Sequence, residues 1–206
     1  MLLGDSIFDN AAYVAVGAPD VVRQVRQRLA PGSRARLAAV DGSTTKDVSD
    51  QLRDLPADAT HLVVSAGGND ALHNSDFLTQ PARSTAEALL GLAGIAEEFE
   101  RGYLAMLAEV LARGLPTIIC TIYYPRFPEV DLQRMALAAL AVFNDCIIRA
   151  AFANGLSLID LRLICTEEGD YANPIEPSAR GGEKIARAIV EAVERGFARG
   201  RTDVFI

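Results

Sequence analysis

The chain has 206 residues, half of them hydrophobic and 23% charged, with a formal net charge of −7 at pH 7. This suits one globular domain over residues 1–206 and excludes a disordered chain. The acidic balance argues against nucleic acid as a partner, because phosphate binding needs a basic surface. Cys120, Cys146 and Cys165 are odd in number and lack the CxxC or His/Cys spacing of a zinc site, so they read as buried free thiols. There are two histidines, His61 and His73, which leaves little of the residue that most acid–base chemistry near neutral pH uses. No charge-free apolar run of about 18 residues marks a membrane span. The start, Met1-Leu2-Leu3-Gly4, lacks the basic and long apolar regions of a signal peptide. The expectation is a cytoplasmic protein without a membrane partner, its oligomeric state left open.

Short apolar runs alternate with amphipathic stretches. Residues 1–3 predict a strand stopping at Gly4, and 21–29 a helix with Asp20 as its N-cap. Residues 34–40 predict a second strand ending at Asp41-Gly42, 45–52 a short helix, and 61–65 a third strand ended by Gly67-Gly68. The stretch 71–94 is the least regular and reads as a flap or capping loop. Residues 95–113 predict a long helix, with Ile95, Phe99, Leu104, Leu107 and Leu111 near one face. A fourth strand is expected over 117–122, an apolar helix over 132–153 closed by Asn154-Gly155, and a fifth strand over 156–160. A terminal helix is expected over 182–197, with Ser178 available as its cap. Strands separated by helices imply right-handed crossovers and a parallel sheet covered on both faces. The fold class is therefore α/β, a flavodoxin-like three-layer α/β/α sandwich with a five-stranded parallel sheet.

In such folds ligands bind beyond the carboxyl ends of the strands. Three segments fall there: Gly4-Asp5-Ser6, Asp41-Gly42-Ser43 and Gly67-Gly68-Asn69-Asp70. Each combines glycine, which lets backbone N–H groups approach a ligand, with small polar residues. Singly, Ser6 reads equally as a turn or cap serine, Gly42 as a turn glycine and Asn69 as an Asx-turn residue. Turn chemistry does not explain why all three lie at successive strand ends.

These blocks, in this order, resemble the SGNH/GDSL hydrolase family over about residues 2–190. The resemblance implies acyl transfer with Ser6 as nucleophile. It implies an oxyanion hole from the N–H groups of Ser6 and Gly42 and the side-chain amide of Asn69, and no metal or organic cofactor. The substrate implied is a small-molecule ester or another acylated molecule.

The last block departs from the family. Where its pattern is Asp-x-x-His, this chain has Asn173-Pro174-Ile175-Glu176, and no histidine follows His73. Two readings follow. In one, Glu176 is the general base, its pKa raised by burial and its carboxylate oriented by the neutral amide of Asn173. In the other the machinery is lost, and the protein binds an acyl or glycosyl ligand without turning it over. His73, four residues beyond Asn69, is a candidate substitute base and also an ordinary loop histidine. Asp9 and Asn10 could line the pocket or cap the next turn. Tyr123 and Tyr124, near Arg126 and Phe127, suit a ligand rim beyond the fourth strand. A rival reading gathers Asp5, Asp41 and Asp70 around Mg²⁺ for phosphoryl transfer, although no GxxxxGK[ST] loop is present.

Overall fold

The computed structural model describes residues 1–195 and 201–206. In chain order the elements are β1 (Leu2–Gly4), α1 (Val21–Arg28), α2 (Val48–Gln51), β2 (Leu62–Ser65), α3 (Gly68–His73), α4 (Thr85–Leu111) and β3 (Thr117–Cys120). They continue with α5 (Val130–Asn154), β4 (Ser157–Ile159), α6 (Leu161–Ile164), β5 (Tyr171–Asn173), β6 (Glu176–Pro177), α7 (Ala179–Glu194) and β7 (Val204–Phe205). One five-stranded sheet runs β1-β2-β3-β4-β7 with every neighbouring pair parallel, and β5 and β6 form a separate antiparallel pair.

The layers follow from the two-residue period of a strand. Leu2, Val63, Ile118 and Ile159 face Val21 and Val25 of α1 and Ile185 and Ile189 of α7. Their neighbours Leu3, Val64, Ile119 and Leu158 face Phe99, Tyr103 and Leu107 of α4 and Phe143 and Ile147 of α5. Burial on both faces is why the strands read as uninterrupted apolar runs. The three cysteines are free and buried. Helix α5 is long and apolar enough by composition to cross a membrane, but Leu140, Phe143, Ile147 and Ala151 on one side of it are core residues.

The expected α/β architecture holds, with one strand exchanged. The 34–40 segment does flank β1, but only as a single parallel bridge between Leu2 and Leu37. Ala38 and Ala39 both donate to the Leu2 carbonyl, a bulge that breaks the ladder at this edge. The fifth strand is β7 at the opposite edge, two residues long and too short to show a period. Helix α4 starts ten residues before the expected 95, capped by Ser84, whose hydroxyl accepts from Glu87 N–H. The irregular stretch is correspondingly shorter than 71–94, and it contains the 3₁₀ turn Ser75–Thr79. Helix α7 begins at Ala179 under the expected Ser178 cap. The predicted helix end at Phe197 lies outside the described residues.

The chain leaves β1 toward the 34–40 edge and then crosses to β2 on the other side. The end of β1 is therefore a topological switch point, the usual place for a ligand crevice in an open parallel sheet.

Candidate active site

Gly4 ends β1 at φ +122°, and a Cβ there would lie 1.7 Å from the Ser65 carbonyl oxygen. Only glycine lets the two strand ends pass this closely. Gln51 then fixes the turn. Gly4 N–H donates to its Oε1 at 2.7 Å, its Nε2 donates to Gly4 O at 2.8 Å, and the same Nε2 reaches Ser43 Oγ at 3.3 Å. The third loop joins the second: Asn69 Nδ2 donates to Ser43 O at 2.8 Å, and Asp70 accepts from Thr45 N–H and Oγ1 at 3.0 and 2.7 Å. Gly42, at φ +81°, is the exposed turn residue between these anchors and lies off the wall of the cavity that Ser6 lines. The three strand-end loops are thus one hydrogen-bonded unit.

Ser6 stands on this unit, 7% exposed, and donates to Glu176 Oε1 at 3.0 Å. Glu176 is 5% exposed, and its Oε2 is buried without a hydrogen-bond partner. Burial raises its pKa to about 7; the Ser6 hydrogen bond pulls it down and the Asp41 charge pushes it up. Asp5, fully buried beside Ser6, is also raised to about 7, first by burial, against the Ile7 N–H it accepts, with Glu176 and Asp70 adding.

Ser6, Asn69 and Glu176 lie together on the wall of a cavity of about 450 Å³. Away from them the wall is mostly apolar, with Leu78 from the 3₁₀ turn, Ile95 from α4 and Ala136, Leu140 and Phe143 from α5, beside the polar Asn74, Ser75, Asp76 and Thr79. The irregular stretch and the two long helices therefore form the pocket that opens onto the nucleophile position.

Several expected contacts are not made. Asn173 does not orient the carboxylate: its Oδ1 accepts from Ile175 N–H at 2.9 Å, an Asx turn within its own loop. His73 is exposed at the end of α3, off the cavity wall. Asn10 is fully buried and works as an anchor: its Oδ1 accepts from Val21 N–H at 2.9 Å and its Nδ2 donates to Pro177 O at 3.1 Å. Asp9 accepts from Asp41 N–H at 3.0 Å in an exposed loop, also off the cavity wall. Tyr123 does line the cavity, while Tyr124 does not, and the Tyr124 carbonyl accepts from Tyr171 Oη. The carboxylates of the metal reading face different partners: Asp5 takes Ile7 N–H, Asp41 takes Tyr13 Oη and Asp70 takes Thr45. Among the described residues no three His, Cys, Asp or Glu side chains converge as metal ligands.

Gln51 escaped the reading of the sequence. Its signal was available, since Val48, Gln51 and Leu52 share a helical face and all three are buried. A glutamine on an apolar face needs hydrogen-bond partners.

Comparison with known proteins agrees with this architecture. A lipase from a goat rumen metagenome superposes with TM-score 0.70 at 18% identity, covering 97% of this chain and 98% of that one. A G-D-S-L family lipolytic protein from Veillonella parvula gives 0.67 at 15%, covering 95% and 97%. A phospholipase A1 from Streptomyces albidoflavus gives 0.60 at 16%, covering 94% and 97%. No individual curated protein matches the sequence. A profile of the GDSL-like lipase/acylhydrolase family matches residues 2–184. With that match over nearly the whole chain, and with a fold shared with the G-D-S-L family protein, the chain belongs to the GDSL-like lipase/acylhydrolase family of hydrolases.

Proposed function

We propose that this hydrolase is a serine esterase that uses a glutamate in place of the histidine. The observation that carries the reading is the buried 3.0 Å hydrogen bond from Ser6 Oγ to Glu176 Oε1. It joins a nucleophile to a base whose pKa, at about 7, suits proton transfer near neutral pH. Ser6 Oγ attacks the ester carbonyl as its proton passes to Glu176. The developing oxyanion is held by the N–H groups of Ser6 and Gly42 and by Asn69. One Asn69 amide hydrogen is engaged by Ser43 O, which leaves the second for the oxyanion. Protonated Glu176 then gives its proton to the leaving alkoxide, which departs as the alcohol. In the second half, water passes a proton to Glu176 and attacks the acyl-serine, and protonated Glu176 returns that proton to Ser6 Oγ as the acid departs. The apolar cavity suits the acyl chain of the substrate. No metal or organic cofactor enters this scheme.

The test combines turnover of p-nitrophenyl esters with covalent labelling by a fluorophosphonate. Turnover and labelling that both vanish in Ser6→Ala support the reading. A folded wild-type protein with neither activity over pH 5–10 would overturn it in favour of a binding protein.

A further inference from the structure

Asn173, the side chain expected to orient the Glu176 carboxylate, is turned away from it. Asn173 is bonded to its own loop, and the only side-chain partner of the Glu176 carboxylate among the described residues is Ser6. The strand carrying Glu176 is two residues long, and its pairing with β5 is irregular between Tyr171 and Asn173. A two-stranded hairpin of this size does not hold a side chain in place by itself.

The backbone around Glu176 is held from outside instead. Pro174 O accepts from Arg126 N–H at 2.8 Å, Ile175 O accepts from Tyr123 Oη, and Pro177 O accepts from Asn10 Nδ2 at 3.1 Å. Three donors from the loops after β1 and β3 thus take three carbonyls that bracket one residue. The Tyr123 ring is 5% exposed and meets Tyr171 edge-on, with centroids 5.3 Å apart. The Tyr171 hydroxyl is fixed between the carbonyls of Tyr124 and Cys165 at 2.7 and 2.8 Å. The Arg126 guanidinium covers the other ring, 5.6 Å from the centroid of Tyr171. This packing leaves the Tyr123 hydroxyl little freedom.

We infer that Tyr123 is a positioning residue, which together with Asn10 holds the Glu176 carboxylate against Ser6 by clamping the backbone on both sides of it. The inference rests on the Ser6–Glu176 reading and adds how that pair is kept together. It also gives Tyr123 a task other than contacting substrate, although its ring borders the cavity. A reacting pair displaced by about 1 Å loses on the order of 100-fold in rate, so one clamp hydrogen bond can decide turnover.

The test is Tyr123→Phe, which keeps the ring and deletes the donor. Ester hydrolysis by the variant is expected to show kcat down about 10–100-fold with KM within about twofold of wild type. A purely structural loss would lower the active fraction without weakening the Ser6–Glu176 contact in the molecules that remain folded. That contact is read by ¹³C NMR of the Glu176 carboxyl. Ser6→Ala should move its resonance in the wild-type background and move it less than half as far in Tyr123→Phe. Asn10→Asp, which keeps the acceptor for Val21 N–H and loses the donor to Pro177, should reduce the response in the same direction. A full response to Ser6→Ala in the Tyr123→Phe background would overturn the clamp, as would a raised KM with unchanged kcat. The NMR arm does not need turnover. If the wild-type protein hydrolyses no ester, the esterase reading fails and the clamp is still decided.

Discussion

Ser6 and Glu176 are joined by one hydrogen bond, and the second oxygen of the Glu176 carboxylate is buried without a partner. A base must be unprotonated to accept, so activity should follow the ionised fraction of Glu176. We expect kcat/KM to rise tenfold per pH unit below about 7 and to level off above it. Glu176→Gln should lower kcat by about 10²–10⁴-fold and abolish that limb. A pH–rate profile of both proteins checks this, and an unchanged rate in the variant would remove Glu176 as the base.

The same burial sets the sign of a stability effect. Glu176 is raised from its ordinary 4.5 to about 7, so the folded state holds a proton that the unfolded state has released between those values. Stability from this group is complete below about 4.5 and is lost as pH rises through 7. Glu176→Gln cannot ionise. Its melting temperature should exceed that of the wild type at pH 8 by at least about 2 °C, with a smaller difference at pH 5. Melting curves at the two values decide it.

Asn69 has one observed partner, Ser43 O, and one proposed catalytic role, which a single substitution tests together. Asn69→Ala removes a proposed oxyanion donor and should reduce kcat by about 10²–10³-fold. It also removes the donor to Ser43 O, so a loss of about 1 kcal/mol in stability is expected alongside. Kinetics and denaturant unfolding measure the two effects independently. A rate loss no larger than the stability loss explains would leave Asn69 structural.

Gln51→Leu should be more damaging to the fold than its small helix suggests. It leaves Gly4 N–H buried without its present partner, at about 1–3 kcal/mol, and takes one of two donors from Gly4 O, which keeps Val40 N–H at 3.1 Å, at about 1 kcal/mol more. Urea unfolding is expected to report a loss of about 2–4 kcal/mol.

Ala139 lines the cavity on α5. Ala139→Phe should fill the apolar end while leaving Ser6 free to react. The ratio of octanoyl-ester to acetyl-ester turnover is expected to fall at least about tenfold, since each methylene denied a buried site forfeits about 0.8 kcal/mol. An unchanged ratio would place the acyl chain elsewhere.

Much of this arrangement was legible in the residues. Asp20 capping α1, Ser178 capping α7 and left-handed Gly155 closing α5 are local signals, and each element begins or ends where they say. Leu2 and Leu3 announce a strand buried on both faces. Ala38 and Ala39 carry no sign that both will donate to one carbonyl, because a bulge depends on the neighbouring strand. The early start of α4 was marked by Ser84 and Glu87, a local pattern masked by Gly91 and Gly94. At the site, Ser6, Asn69 and Glu176 could be named from their blocks. The direction of the Asn173 side chain could not, since an asparagine can serve a neighbouring carboxylate or its own loop equally well.

Ser6 and Glu176 are separated by 170 positions along the chain. On the proposed mechanism, Ser6 is made well before the β5–β6 hairpin that carries Glu176, and it would have no base until that hairpin is made and docked. On the same mechanism, cutting the chain between the two residues would divide the reaction between two fragments. Hydrolysis then reports their reunion, the requirement for a split-enzyme sensor of molecular proximity.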